Sequence, residues 1–318
     1  MILGIDPKVD YAFKFLFGNE KNTQPLIHLL HSILNPTPEE QIVEVEILNL
    51  FNERMALDDK LSILDIRARD QLGRHFNVEM QMLATPGLRQ RVLYYWAKLY
   101  AGQLQAGNDY RLLRPTISVC FLDGLVFPAV LGHHLEFHLI DATEGVALTD
   151  DLTIHLFELP KFRLAPAELA TPLDAWLYFL CHAEGMDPEV LPGHLGAPAI
   201  RQAMEVLAVL TQTDIEKEIY EGRIKARRDY QMLLDAAANA RAEALVEGRA
   251  EGRAEGLEKG ALLGRVEVLQ RLLQRDPTPR AELDALPPEA LEALAAQLER
   301  EMAEGVAPQG AAPAAPRR

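Results

Sequence analysis

The sequence is poor in cysteine, contains no long apolar run and has no excess of basic charge. Its two cysteines, Cys120 and Cys181, stand in the apolar stretches SVCFL and YFLCHA. They are typical of small core residues in a reducing compartment, and a disulfide between them is the less expected alternative. No apolar run approaches the ~18–20 residues that span a bilayer. The first residues, MILGIDPKVD, lack the basic and apolar regions of a secretory signal, so we expect a cytoplasmic protein without membrane contact.

The charge balance limits which partners the chain can bind. The formal net charge is −15, whereas nucleic-acid binding proteins usually carry a basic surface, because phosphate contacts supply much of their affinity. Any contact with nucleic acid must therefore use a local basic patch. The sequence also lacks a P-loop, a Gly-x-Gly-x-x-Gly fingerprint and a Gly-x-Ser-x-Gly elbow, so it offers no motif for nucleotide binding or for serine-hydrolase chemistry.

Apolar periodicity predicts a mixed α/β domain up to about residue 162. Helical spacing is found in DPKVDYAFKFLFGNE, which Gly18 ends, and in residues 23–34, which Asn35-Pro36 close. Strand patterns follow in VEVEILNLFNERM and in two segments around Gln71-Leu72-Gly73. An amphipathic helix, GLRQRVLYYWAKLYAGQLQ, precedes the apolar strand PTISVCFLDGLVF and the strand pair HLEFHLID and LTIHLFELPKF. The predicted order is α, β, β, β, α, β with a further β pair.

The pattern changes to helices beyond Pro166. We predict three parts: an α/β domain over residues 1–165, a helical region over 166–304, and a tail over 305–318 that is disordered by composition. The helical region contains a long polar helix from about Asp214 to Arg275 and a last helix from Pro288 to Glu304.

The long helix carries the repeat EGRAEGRAEGLEKG, residues 247–260. A four-residue period stacks Glu247, Glu251 and Glu255 on one stripe and Arg249 and Arg253 on another. Like charges at this spacing and glycines in a helix interior both destabilise a lone helix. Two alternatives remain: a weakly helical solvated spacer, or a segment through which the C-terminal helices form a homo-oligomer.

The two strands around Gln71-Leu72-Gly73 predict a specific register. If Gly73 occupies the left-handed position of a three-residue loop, Asp70 pairs with Arg74, and counting outward places Asp65 opposite Glu79. Alternation then puts Leu64, Ile66, Ala68, Phe76, Val78, Met80 and Met82 on an apolar face. Asp65 and Glu79 share the opposite face with Arg67, Arg69, Asn77 and Gln81.

Two carboxylates set directly opposite each other destabilise a sheet unless something offsets their repulsion. A divalent cation can do so, because two carboxylates, a backbone carbonyl and waters form an oxygen-rich site suited to Mg²⁺. The alternative is a surface hairpin whose acids pair with Arg67, Arg69 and Arg74. The residues alone leave both readings open.

Together, several motifs resemble a known family. Asp65 followed by Glu79-x-Gln81 on the next strand resembles the PD-(D/E)XK nuclease motif in its ExQ form. DYAFKFLFG (10–18), KLSILDI (60–66) and NVEMQ (77–81) resemble the Rpn family, recombination-promoting nucleases also described as transposases of the PD-(D/E)XK superfamily. YYWAKLYAGQLQAGNDY, the strand after it and the Glu-Gly-Arg-rich helix fit the same pattern. The resemblance covers the first half of the chain closely and the helical half loosely.

The resemblance implies a restriction-endonuclease-like core (αβββαβ) and a DNA endonuclease that uses Mg²⁺, with Mn²⁺ or Ca²⁺ as alternatives. It implies Asp65, Glu79 and the Met80 carbonyl as metal ligands. It places Asp10 at the acidic position of the first helix, where Asp10 could bind the metal or its water, or could simply complement the helix dipole. Gln81 stands where many members of the superfamily have lysine; an amide can orient the attacking water but cannot lower its pKa as a cation would. Candidates for the positive charge are Lys60 and Arg67, and candidates for phosphate contacts are Arg67, Lys14, Arg89, Arg91 and Lys98.

A second function class competes with the enzyme. A nuclease fold with little or no activity could serve as an interaction or self-association module. The acidic net charge and Gln81 favour that class, whereas the two facing acids favour the enzyme.

Overall fold

The structure, a computed structural model, describes residues 2–48, 65–191, 193–210 and 213–305. The helices are α1 Asp10–Phe17, α2 Gln24–Leu34, α3 Leu88–Ala101, α4 Pro172–His182, α5 Pro198–Ala208, α6 Asp214–Leu272, α7 Arg280–Asp284 and α8 Pro288–Ala303. The strands are β1 Val45–Ile47, β2 Ile66–Asp70, β3 His75–Gln81, β4 Thr116–Leu122, β5 His134–His138 and β6 Leu152–Glu158. The predicted mixed α/β class and the predicted order of elements are confirmed.

The strands form one mixed sheet in the order β1-β2-β3-β4-β6-β5. β1, β2 and β3 pair antiparallel, β3, β4 and β6 pair parallel, and β5 returns antiparallel along β6. The central strands β3 and β4 are buried along nearly their whole length. This placement suits the continuous apolar run of β4, since strands of a parallel sheet are covered on both faces.

Local signals account for where the first helices end. Gly18 follows the last residue of α1, and its N–H donates to the Lys14 carbonyl at 2.8 Å. Asn35 caps α2 in the left-handed conformation with φ of 43°, which asparagine tolerates better than most residues. Both boundaries agree with those predicted from glycine and from Asn-Pro.

The two faces of the sheet pack against different helices. Phe76, Val78 and Met80 of β3 belong to a large core that also contains the apolar residues of α1 and α2. On the other face, Leu88 and Val92 of α3 pack on Cys120 and Leu122 of β4. The described residues of the face predicted to be apolar therefore lie in or against the main core, whereas Leu64 lies outside the described residues. Helix α3 covers the face that carries the polar residues of β3.

Helices α4 and α5 add Trp176, Phe179 and Ile200 to the same main core. The first compact unit accordingly runs from Met1 to Met232, past the composition change at residue 166. In the second unit, which begins at Leu233, Leu263, Val266 and Leu269 of α6 form a separate small core with α7 and α8.

The cysteines, the length of the apolar helices and the C-terminal tail were each the subject of a prediction. Cys120 and Cys181 are both free thiols, and Cys120 is buried. None of the helices in the described ranges combines the length and the apolar character needed to cross a bilayer. Of the tail at 305–318, all but Gly305 lies outside the described residues.

Candidate active site

The loop between β2 and β3 sets the register of the hairpin. Gly73 has φ of 80°, in the left-handed region, and its N–H donates to the Asp70 carbonyl at 3.0 Å. The Asp70 N–H donates to the Arg74 carbonyl at 3.1 Å, so Asp70 and Arg74 close the loop as a pair. The Asp70 carboxylate accepts from the Arg74 backbone N–H at 2.8 Å and from Arg74 Nε at 2.7 Å, which fixes the turn further.

This register brings the two predicted acids to the same end of the hairpin. Ile66 pairs with Val78, and Asp65 precedes Ile66 directly, just outside the strand. Glu79 follows Val78 and lies opposite Cys120 of β4. The pairing predicted by counting outward from Gly73 is confirmed over the four residue pairs of the ladder, Ile66–Val78 to Arg69–His75.

Glu79 is buried, with 1% of its surface exposed. Gln81 Nε2 donates to Glu79 Oε2 at 2.9 Å, whereas Glu79 Oε1 accepts from no N–H or O–H group in the described part of the chain. Burial raises the pKa of Glu79 from 4.5 to about 7, and the charge of Asp65 adds to the rise, although Gln81 and the charge of Arg91 lower it. In a surface hairpin this carboxylate would be exposed to solvent and paired with an arginine of the hairpin, whereas Glu79 is buried.

Asp65 has a more polar environment than Glu79. Arg67 Nε donates to Asp65 Oδ2 at 2.8 Å, and 16% of the Asp65 side chain is exposed. Lys14 of α1 is also buried nearby; burial lowers the pKa of its ammonium group, and the negative charge of Asp65 raises it. Two of the predicted basic residues, Lys14 and Arg67, therefore lie near Asp65.

The Met80 carbonyl points to the β2 side of β3. Carbonyls alternate in direction along a strand, and the Gln81 carbonyl accepts from the Asp123 N–H on the β4 side at 2.9 Å. The carbonyl one residue earlier must point the other way, toward the strand that Asp65 precedes. The Met80 side chain packs in the main core on the opposite face of the sheet from Glu79.

Helix α3 places its three predicted basic residues differently. Arg91 reaches the site, where its Nη2 donates to Gln81 Oε1 at 2.5 Å. Arg89 is exposed and lies over the ring of Phe127, with 5.7 Å between the guanidinium carbon and the ring centroid. Lys98 is exposed two helical turns beyond Arg91, on the same side of the helix.

Asp10, the first residue of α1, is paired with an arginine that the sequence did not single out. Arg223 of α6 donates from Nη1 to Asp10 Oδ2 at 3.0 Å, and both residues are buried. Burial raises the pKa of Asp10, and the charge of Arg223 lowers it. Arg227, one turn further along α6, bonds to Asp123. The polar stretch of α6 gave no sign of these contacts, because they join residues more than 100 positions apart.

Two more polar residues beside the site were not predicted as functional. Asn77 and Ser118 face each other across β3 and β4 and are almost completely buried. Neither side chain has a hydrogen-bond partner among the residues that the structure describes. In the sequence, each of these polar residues stands between two apolar residues of its strand, and this pattern was the signal that could have identified them. Lys60, predicted as a catalytic cation, lies outside the described residues.

The site consists of the carboxylates of Asp65 and Glu79 and the Met80 carbonyl, with the basic side chains of Arg67 and Arg91 nearby. In the described ranges no set of three or more His, Cys, Asp or Glu side chains is placed to hold a metal ion. A metal at this position would depend on Asp65, Glu79, the Met80 carbonyl and water. Oxygen donors of this kind suit hard divalent cations such as Mg²⁺.

Comparison with known proteins identifies the family. A family model described as PD-(D/E)XK nuclease family transposase matches residues 7–237. No curated protein and no solved structure matches the chain. The matched range spans α1, the hairpin with Asp65 and Glu79, α3 and the first turns of α6, which together build the site described above. The resemblance noted from the sequence is thus confirmed, and the chain belongs to the PD-(D/E)XK nuclease family of transposases.

Proposed function

We propose that this protein is a DNA endonuclease that hydrolyses phosphodiester bonds with a divalent cation, and that this cation is Mg²⁺. The observation that carries the proposal is Glu79, an acid with 1% exposure that lies close enough to a second acid, Asp65, for the charge of Asp65 to raise its pKa. A sheet that serves only as a scaffold gains nothing from burying a carboxylate, because the charged form loses its hydration.

The residues present fit a bound cation. Glu79 Oε1 is a buried oxygen without an N–H or O–H donor from the described residues, and the Met80 carbonyl points to the same side as Asp65. Asp65, Glu79 and the Met80 carbonyl would hold the ion. When bound, Mg²⁺ would supply positive charge to the scissile phosphate and lower the pKa of water.

The side chains around the acid pair have distinct tasks in this proposal. Gln81 holds the carboxylate of Glu79 in place through its amide N–H. Lys14 and Arg67 lie near Asp65 and bind the phosphates that flank the cleavage site. Arg91, together with the exposed Arg89 and Lys98 on α3, extends this local basic patch on a chain whose net charge is −15. In the reaction, the water oxygen forms a bond to phosphorus and gives up a proton, one ester P–O bond breaks, and the leaving oxygen takes up a proton, so that no net proton is consumed.

A cleavage assay tests the proposal. Supercoiled plasmid is incubated with wild type, Asp65→Ala or Glu79→Ala in Mg²⁺ and in chelator. Glu46→Ala is the matched control, since Glu46 is an exposed acid on the neighbouring strand β1. We expect cleavage by wild type and Glu46→Ala in Mg²⁺ only. Equal behaviour of wild type, Asp65→Ala and Glu79→Ala would support the alternative, a nuclease fold that acts as an interaction module.

We also propose that the long helix α6 joins copies of the chain into a homo-oligomer. Residues 236–258 of α6 are all exposed, and glycines at positions 248, 252 and 256 weaken this stretch as a lone helix. An antiparallel partner would set its glutamate stripe against the arginine stripe. Light scattering of wild type and of a variant lacking residues 247–260 should show a smaller assembly for the deletion, and an unchanged assembly would contradict this role.

A further inference from the structure

Gln81 is a neutral residue that lies between Glu79 and helix α3, at the position where many members of the superfamily have a positively charged lysine. Gln81 Nε2 donates to Glu79 Oε2 at 2.9 Å, and Gln81 Oε1 accepts from Arg91 Nη2 at 2.5 Å. The two ends of the amide cannot exchange roles, since a guanidinium only donates and Arg91 therefore requires the amide oxygen as its partner. Gln81 therefore connects the acid to a cation through one fixed orientation.

The packing of α3 explains how Arg91 reaches the site. Leu88 and Val92 anchor the first turns of α3 on Cys120 and Leu122 and are 2% and 3% exposed. Position 91 lies beside these anchors on the helix, next to the buried stripe. The side chain of Arg91 is consequently drawn under α3 toward β3 and becomes partly buried.

The guanidinium of Arg91 keeps donors that the described residues do not use. Its Nε is buried without a hydrogen-bond partner, and no carboxylate of the described chain forms an ion pair with it. Arginine carries five N–H donors in a planar fork that matches phosphate oxygens. A partly buried guanidinium that bonds an amide and retains donors is suited to bind an oxyanion.

The other cations near the site have different surroundings. Arg67 donates its Nε to Asp65, and its side chain is 37% exposed, so its charge is shared with an acid and screened by water. Lys14 lies on α1, against Asp65 rather than against Gln81. Within the described residues, Arg91 is the cation that is bonded to Gln81.

We propose that Arg91 contacts the scissile phosphate and supplies the positive charge that position 81 lacks, and that Gln81 is a positioning residue for Arg91. This inference rests on the nuclease function proposed above. Arginine does not release its proton in proteins, so Arg91 neither donates nor accepts a proton in the reaction. Its contribution is the stabilisation of negative charge that develops on the phosphate oxygens in the transition state.

Single-turnover cleavage of plasmid tests the role of Arg91. We expect Arg91→Ala to lower the cleavage rate at saturating DNA ~10²-fold, the usual effect of removing one donor to a transition-state oxyanion, with a much smaller change in DNA affinity. Arg91→Lys should keep part of the rate. Gln90→Ala, a substitution of an exposed residue on the same helix, is the control and should cut like wild type.

Chemical rescue separates a catalytic role from a structural one. Millimolar guanidinium, far below denaturing concentration, should raise the cleavage rate of Arg91→Ala and leave Asp65→Ala unchanged. A protein that had merely lost its fold would gain nothing. Gln81 bonds both Arg91 and Glu79. Gln81→Ala should therefore still lower the cleavage rate in the Arg91→Ala background, but by a smaller factor than in wild type.

The outcomes distinguish this inference from the nuclease proposal. If Arg91→Ala cleaves DNA at the wild-type rate while Asp65→Ala does not cleave it, the role of Arg91 is overturned and the nuclease proposal stands. The role of Arg91 would also be overturned if the rate losses of the two single variants multiply in the double variant. The same holds if Arg91→Ala folds but its cleavage rate does not rise with guanidinium. Absence of Mg²⁺-dependent cleavage by wild type would overturn both proposals.

Discussion

At the scale of the residue, Glu79 has an environment very different from that of a side chain in water. Its carboxyl group is 1% exposed, and burial raises its pKa from 4.5 to about 7. The native state therefore holds a proton on Glu79 at pH values where the unfolded chain has released it. Burial of Glu79 therefore lowers the stability of the protein without metal near neutral pH.

The first prediction concerns the pH dependence of stability without metal. The contribution of Glu79 is fully present below pH 4.5 and is lost as the pH rises through about 7. The difference of about 2.5 pH units corresponds to roughly 3 kcal/mol. Urea unfolding in chelator at pH 5 and pH 8 should show that Glu79→Gln gains stability over wild type at pH 8 and much less at pH 5. An equal difference at both pH values would contradict the shifted pKa.

Mg²⁺ provides a control for this prediction. A cation held by Glu79 favours the ionised carboxylate, so millimolar Mg²⁺ should stabilise wild type at pH 8. The same addition should have little effect on Glu79→Gln. Equal stabilisation of both proteins would show that the ion binds elsewhere.

The second prediction concerns the buried pair of Asp10 and Arg223. Removal of Arg223 leaves an uncompensated buried carboxylate, and Arg223→Ala should cost about 3 kcal/mol of unfolding free energy. Arg227→Ala, the control, removes a side chain that is 28% exposed and should cost about 1 kcal/mol. A double-mutant cycle with Asp10→Ala should show coupling between the two residues. Additive losses would indicate that the pair is not a unit.

At the scale of the element, the hairpin of β2 and β3 determines which side chains meet at the site. Gly73 adopts φ of 80°, and a Cβ at this position would lie 3.3 Å from Arg114 Cγ. The turn therefore favours glycine for its backbone, and an added Cβ requires only a small shift of the exposed Arg114 side chain.

The third prediction follows from this turn. Gly73→Ala should destabilise the protein by about 1–2 kcal/mol, because L-residues are strained in the left-handed region. Gly73→Asn should cost less, since asparagine tolerates this conformation. Gly185→Ala is the control: that glycine has no positive φ and no atom within 4 Å of its added Cβ. Urea unfolding compares the four proteins, and equal stability of Gly73→Ala and wild type would contradict the assigned turn.

The hairpin also shows what the sequence could predict. One glycine and the alternation of apolar residues were sufficient for the register and for the common face of Glu79 and Gln81, because both signals are local. Arg91 was predicted to contact phosphate, but its bond to Gln81 depends on how α3 packs over the sheet. The pairing of Asp10 with Arg223 joins residues 213 positions apart, and no local pattern encodes such a contact.

At the scale of the whole molecule, the acidic charge and the local basic patch predict how DNA binding depends on salt. A chain with net charge −15 offers few phosphate contacts, and the candidates are Lys14, Arg67, Arg89, Arg91 and Lys98. Each contact contributes about −0.9 to the slope of log affinity against log salt. Most of the surface should repel DNA, so binding should be local and sensitive to salt.

The fourth prediction is a slope of about −4.5 for duplex DNA if all five residues contact phosphates, measured by fluorescence anisotropy with the Glu79→Gln variant so that the DNA stays intact. Adding Lys98→Ala should make the slope shallower by about 1 without changing sequence preference. Gln90→Ala, in the same background, is the control and should leave the slope unchanged. A slope near zero, or one that Lys98→Ala does not alter, would contradict binding through this patch.

Cleavage by Glu79→Gln is the decisive measurement for a metal-dependent nuclease site at Glu79, because this substitution keeps the shape of the side chain and removes its charge. With Mg²⁺ at pH 8, wild type should convert supercoiled plasmid to nicked or linear DNA, and Glu79→Gln should be at least ~10²-fold slower. The same variant should be more stable than wild type in chelator at this pH. A folded Glu79→Gln protein that cuts plasmid as fast as wild type would contradict the assignment of Glu79 to a metal-dependent nuclease site.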